Sequence, residues 1–347
     1  MTDGRFELNG LATMIGSMPQ SDPQEACSAV LAHLPDIPAW PQLPQRSFFE
    51  NMYVQYSEGL PGVVLTDDSI WVDRSQDLSQ PLEELYSAYI ENDTNSRAVS
   101  PEYAAGFHEF LRAVGGHRVK ALKGQVTGPI SFGLTVTDQD RRPLLYDDTL
   151  ADAIAKHLRL KAAWQEEMLR KHCSRTVMSV DEPYLASVGS AFVSTSPEQV
   201  TALLEEVLGG ISGLKAIHCC GNTDWSLLLG TSTDILSFDA YSYGDSLALY
   251  PSDVQAFLER GGVIAWGIVP NQPGPVSQET AESILERLEG LIAAMSDKGV
   301  SKELLLGRCL ITPACALASL SPEEADRALE MTAKVSSEFR RRHFGIS

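Results

Sequence analysis

Short apolar runs of strand type recur along the chain at residues 11–15, 62–65, 119–123, 176–180, 214–217, 234–238, 262–266 and 309–312, and each leads toward a helical segment. Runs this short, bounded by helices, are the pattern of buried parallel strands joined by crossover helices. Residues 150–171 repeat apolar side chains at three- and four-residue spacing, and 278–295 form a second amphipathic run. Ser196-Pro197-Glu198 and Ser321-Pro322-Glu323 each open a helix, with serine at the N-cap, proline at the first position and an acid in the first turn. Eight such strands predict an α/β fold closed as a (β/α)8 TIM barrel. An open doubly wound sheet competes, but no Gly-rich phosphate turn follows the first run. No repeat, low-complexity tract or linker divides the chain, so a single domain over 1–347 is expected. The interval 33–61, with Pro35, Pro38, Pro41, Pro44 and Pro61, reads as a long excursion over the barrel mouth.

At 347 residues with 44% hydrophobic content, the chain can bury a large core. Its net charge of −19 repels phosphates, which argues against nucleic acid and anionic membranes as partners. The first ten residues lack a signal-peptide pattern, and no run approaches the ~18 apolar residues of a membrane span, so a cytoplasmic protein is expected. Six cysteines are too few for a disulfide scaffold, but Cys219 and Cys220 adjoin His218, which suggests metal before disulfide.

Barrel active sites lie at the C-terminal ends of the strands, and the polar motifs fall there. Ile15-Gly16-Ser17 ends the first run, Gly124–Pro129 follows the third, and Asp181-Glu182-Pro183 ends the fourth. His218-Cys219-Cys220 ends the fifth, Asp239 the sixth, and Cys315 follows the eighth. His218 and Cys220, two residues apart on extended backbone, face one side, and Cys219 faces the other. With Cys315 they supply three ligands for zinc and leave a fourth position open, the pattern of a catalytic site. The same cysteines also fit a reading as small buried hydrophobes, and spacing alone does not separate the two. Asp181-Glu182 equally suits a strand end or a helix cap, Asp239 and Ser17 suit capping, and Cys27, Cys173 and Cys309 suit core or helix-face positions. His108, His117, His157 and His172 have no ligand spacing and read as helix-surface residues.

The ring of motifs resembles the catalytic domain of cobalamin-independent methionine synthase. Thr13 to Gln20 is similar to that domain's opening, in which the segment matching Ile15, Gly16 and Ser17 holds the homocysteine carboxylate. Val180-Asp181-Glu182-Pro183 is similar to its Asp-Glu-Pro motif, which implies that Asp181 binds the amino group. His218, Cys220 and Cys315 match its zinc ligands, and Asp239 stands where the family has a zinc-side Glu, one methylene longer. The segment 218–223 also looks like that of the methylcobamide:thiol methyltransferases, which share the uroporphyrinogen decarboxylase type of barrel. The family's second amino-group acid has no clean counterpart: Ser47 falls at its position, and Glu50 is the nearest acid.

The resemblance implies a zinc-dependent methyltransferase acting on the thiol of L-homocysteine, with Asp181 and Glu182 as candidate catalytic residues. Two thiolates and a neutral imidazole leave zinc with little net charge, so a bound thiolate stays nucleophilic. The chain is half the usual length of the folate-using synthase, so the expected donor is a methylcorrinoid (methylcobalamin) protein. Trp40, Phe48, Phe49, Tyr53 and Tyr56 in the excursion offer it an aromatic contact surface, or pack a lid. Methyltetrahydrofolate is the alternative donor and a coenzyme M-like thiol the alternative acceptor, although a sulfonate thiol has no ammonium for Asp181. Tetrapyrrole decarboxylation would want arginines around the site. A zinc-binding protein without turnover would need a fourth protein ligand, from Cys219 or Asp239.

Overall fold

The computed structural model describes residues 8–190 and 193–346. Among these are β1 (Leu11–Ala12), β2 (Val63–Leu65), β3 (Ile70–Val72), β4 (Leu122–Thr127), β5 (Thr137–Asp138), β6 (Thr176–Asp181), β7 (Leu214–Cys219), β8 (Ile235–Phe238), β9 (Val263–Val269) and β10 (Cys309–Pro313). Seven form one sheet in the order β1-β10-β9-β8-β7-β6-β4, with every neighbouring pair parallel. The other three, in the order β2-β3-β5, form a small separate sheet. No helix among the described residues is long and apolar enough to cross a membrane.

The helices begin where their sequences specify. Ser196 accepts from Gln199 N to start Pro197–Leu208, and Ser321 forms a reciprocal capping box with Glu324 to start Pro322–Phe344.

Strand side chains alternate between two surroundings. Val177, Ala216, Ile235, Val263 and Leu310, from five neighbouring strands, meet Leu11 and Ile37 in one inner apolar cluster. Their chain neighbours Met178, Ile217, Leu236, Ile264 and Ile311 pack outward against the helices. This two-residue period carries up each strand, so the inner positions above the apolar layer are Lys123, Ser179, Asp181, His218 and Ser237.

The run at 62–65, expected as the second barrel strand, lies instead in the small sheet, where β2 pairs antiparallel with β3. Part of the expected mouth excursion takes its place between the sheet edges. Ala39 bridges in parallel to Lys123 on β4, and Gln42 bridges in parallel to Ser17 beyond β1. The prolines explain why this stretch is no regular strand: without an N–H, Pro38 and Pro41 break the ladder. Trp40 and Tyr56 are buried in the core, with Trp40 Nε1 donating to Gln165 Oε1 at 3.0 Å, so they offer no docking surface. Phe48, Phe49 and Tyr53 remain half-buried.

His157 is not a helix-surface residue: it is fully buried on helix Asp148–Arg170, with Nε2 2.9 Å from Tyr56 O. One turn further along the same helix, Lys161 is buried and donates to Arg97 O at 3.4 Å. Burial pushes Lys161 down to about 7, opposed by Glu58. Lys161→Met is therefore expected to stabilise the fold by about 1–4 kcal/mol at pH 6. A lysine whose folded pKa lies below its unfolded value destabilises most while protonated. The gain should be full below about pH 7 and shrink toward pH 10.5, which urea unfolding across that range measures.

Candidate metal and substrate site

The ladder register sets Thr127 beside Asp181, Asp181 beside His218, and His218 beside Ser237. Polar inner residues of four adjacent strands thus stand at one level, at the C-terminal edge of the sheet. Cys220 follows β7 with the parity of His218, and Asp239 follows β8 with the parity of Ser237. Cys315 arrives from the far side, after β10. The register shifts between Thr312 and Pro313, and Ala314 N donates to Val269 O at 2.7 Å, which turns the chain inward just before Cys315.

The ligand atoms of His218, Cys220 and Cys315 all lie within 4.8 Å of one another, the one such group among the described residues that could hold a metal ion. His218 is 2% exposed, and its Nδ1 lies 2.9 Å from Ser237 Oγ. With Nδ1–H donating to that hydroxyl, Nε2 keeps its lone pair, and among the described residues Nε2 has no hydrogen-bond partner. The Cys315 thiol, and after it His218, holds Cys220 below the ordinary thiol range, whereas Cys315 itself is held above it. A buried imidazole nitrogen without a partner beside two neighbouring thiols is a donor set that suits zinc. Cys219 points the other way, buried among apolar side chains with its thiol 3.5 Å from Gly221 O.

Asp181 is 7% exposed and accepts from Ser179 Oγ at 2.6 Å. Burial raises its carboxyl, opposed first by Lys123 and then by His218. Lys123, on the inner face of β4, donates from Nζ to Ile15 O at 2.5 Å. This pins the Ile15-Gly16-Ser17 segment, which lies beside the Cys315 loop, where Leu317 N donates to Ser17 O at 2.9 Å. A Cβ on Gly16 would lie 2.7 Å from Gln125 Nε2, so only glycine lets the segment approach that amide. Ser17 stays partly accessible, with Oγ 3.2 Å from Gln42 Oε1.

Glu182 turns away from this ring. Its fully buried carboxylate accepts from Ile130 N at 2.8 Å, Ser131 N at 2.7 Å and Ser131 Oγ at 2.6 Å. It therefore caps the first turn of helix Pro129–Thr135. Asp239 stands outside the His218, Cys220 and Cys315 group and caps helix Ala240–Leu247, accepting from Ser242 N at 2.8 Å. Glu50 is buried in an ion pair with Arg46 at 2.8 Å.

Sequence reading missed Lys123 and Ser237, and took Gln125 only as part of the Gly124–Pro129 turn. The signal was present as parity: Lys123 and Gln125 alternate with Leu122, Gly124 and Val126, as Ser237 does with Leu236 and Phe238.

Compared by sequence, the chain matches no protein-family model and no curated protein. Compared by structure, its α/β fold is that of a B12-independent methionine synthase from Shewanella sp. W3-18-1, solved in complex with selenomethionine. The TM-score is 0.61 at 17% identity, covering 98% of this chain and 100% of that one. A methyltransferase from Methanosarcina mazei is similar at a TM-score of 0.53 and 12% identity, over 94% of this chain and 93% of that one. At these identities the likeness is one of fold.

Proposed function

We propose that this chain is a zinc-dependent methyltransferase that methylates the thiol of L-homocysteine to give methionine. The observation that carries the reading is the convergence of His218 Nε2, Cys220 and Cys315 within 4.8 Å, with Asp181 on the adjoining strand. Zinc held by these three residues would supply Lewis acidity that keeps a thiol acceptor ionised at neutral pH. Ser237 orients the imidazole through Nδ1. Asp181 offers a carboxylate to the acceptor's ammonium, and the Ile15-Gly16-Ser17 segment, with the Ser17 hydroxyl, receives its carboxylate. The nearly complete burial of His218 and Asp181 keeps water from the sulfur and strengthens these charged contacts. The sulfur lone pair forms the new S–C bond while the methyl–donor bond breaks and leaves its electron pair on the donor. Glu182 shapes the site through the helix it caps, and Asp239 neighbours the metal without joining its ligands.

The architecture we infer is one (β/α)8 domain in which residues 38–42 fill the second strand position between β1 and β4. The donor we propose is a methylcorrinoid protein, on the likeness of residues 218–223 to the methylcobamide:thiol methyltransferases. The solved synthase with the same fold is described as B12-independent and is covered over its whole length, which favours methyltetrahydrofolate as the second reading. Product formation with methylcobalamin and with 5-methyltetrahydrofolate, measured side by side, separates the two donors. Zinc X-ray absorption with and without L-homocysteine tests the acceptor. The expected result is one additional sulfur scatterer at about 2.3 Å on adding the thiol. A metal-free protein, or a site indifferent to homocysteine, would sink the reading.

A further inference from the structure

The interior of the ring holds a charge whose hydrogen bond to Ile15 O a neutral donor could equally make. Lys123 is 5% exposed and lines a narrow cavity with Ser179, Ser237, Thr13 and Thr312, above Ile37 and Ile235. The apolar inner layer lies beneath it, and a buried ammonium in such surroundings is costly unless it is paired. A methionine would span the same position with less desolvation. One hydrogen bond and one through-space attraction give the charge a purpose: the bond from Nζ to Ile15 O, and the pull between Lys123 and Asp181. They act on the two segments that the methyltransferase reading assigns to the acceptor's carboxylate and ammonium.

We propose that Lys123 is a positioning residue that makes the site specific for a thiol carrying both an α-carboxylate and an α-ammonium, an inference that rests on the methyltransferase reading. From below, its charge favours an anion at the Ile15-Gly16-Ser17 segment, and its Nζ fixes the orientation of the Ile15 peptide. Its charge also attracts Asp181 and stabilises the carboxylate that pairs with the ammonium. Burial pushes Lys123 down to about 8, with Asp181 pulling it back up. A thiol with neither charged group gains nothing from these contacts.

The test uses the full chain loaded with zinc, whichever of methylcobalamin and 5-methyltetrahydrofolate the wild type accepts, and two acceptors: L-homocysteine and 2-mercaptoethanol. Lys123→Met is expected to raise the homocysteine KM roughly 100-fold with kcat nearly constant. Its kcat/KM for 2-mercaptoethanol should change by less than about threefold. Lys123→Arg, which keeps the charge, should recover most of the homocysteine KM. Equal losses on both acceptors would make Lys123 a structural residue and overturn the proposal. Should Lys123→Met not fold, Lys123→Gln is compared on the same two acceptors. A wild type that methylates neither thiol with either donor is a different result, and it removes the methyltransferase reading and this proposal together.

Discussion

Cys315→Ser is expected to lose its bound zinc and at least about 10^3-fold in methyl transfer, more than the 10–100-fold typical of losing an outer partner of a ligand. The serine hydroxyl stays protonated at neutral pH, so two ligands remain, His218 and Cys220, both from the end of β7. Cys220→Ser should behave alike. Three neighbours give the contrast. Cys219→Ser should keep its zinc, because that thiol is buried in the outer apolar layer. Asp239→Asn should keep most of it, because the carboxylate is engaged with Ser242 N. Ser237→Ala, which frees Nδ1 of His218, should weaken zinc by about 10–100-fold. Zinc per chain by mass spectrometry after dialysis against a chelator reads all five variants. A Cys315→Ser protein that retains one zinc would remove the assigned ligand set.

A large effect on stability is expected at Gly128. An added Cβ would lie 2.2 Å from the Glu182 carboxyl, at a place where neither group has room to move. Gly128→Ala must displace that carboxylate from Ile130 N, Ser131 N and Ser131 Oγ, leaving a buried charge unpaired. The cost should be about 3–5 kcal/mol by urea unfolding, the range for breaking a buried charged contact. The double variant Gly128→Ala, Glu182→Ala should cost clearly less than the sum of the singles, because removing the carboxylate removes the clash. Strict additivity would place the cause elsewhere. Burial also pushes Glu182 up to about 7 from an ordinary 4.5. A carboxyl whose folded pKa is raised contributes most to folding while protonated. The Glu182-dependent part of stability should thus be full below about pH 4.5 and decline until about pH 7, a slope that Glu182→Gln should lack.

Much of the fold was legible because its signals are local. The parity of His218, Cys219 and Cys220 was readable from two-residue alternation, and so were the caps at Ser196 and Ser321. Both depend on residues two to four positions apart. The run at 62–65 misled for the same reason: an apolar stretch shows that a strand forms, but not which sheet receives it. The Pro-rich stretch at 38–42 carries no strand signal, yet it bridges β1's continuation to β4, because a gap between two sheet edges accepts single backbone bonds that prolines leave available. His157 read as a surface residue because helical periodicity cannot tell a helix with one covered face from one covered nearly all round.

At the candidate site the division falls between residue type and residue placement. The sequence by itself determined that imidazole, thiols and carboxylates end the strands, and that those of one parity face inward. Tertiary structure brought Cys315 to Cys220 as the resemblance implied, and it alone decided that Glu182 caps a helix while its neighbour Asp181 faces the ring, and that Lys123 lies beneath Ile15. Those outcomes depend on how strands far apart in the chain stagger and curve against one another. That stagger is set by the packing of the whole sheet against its helices, which no short window of residues encodes.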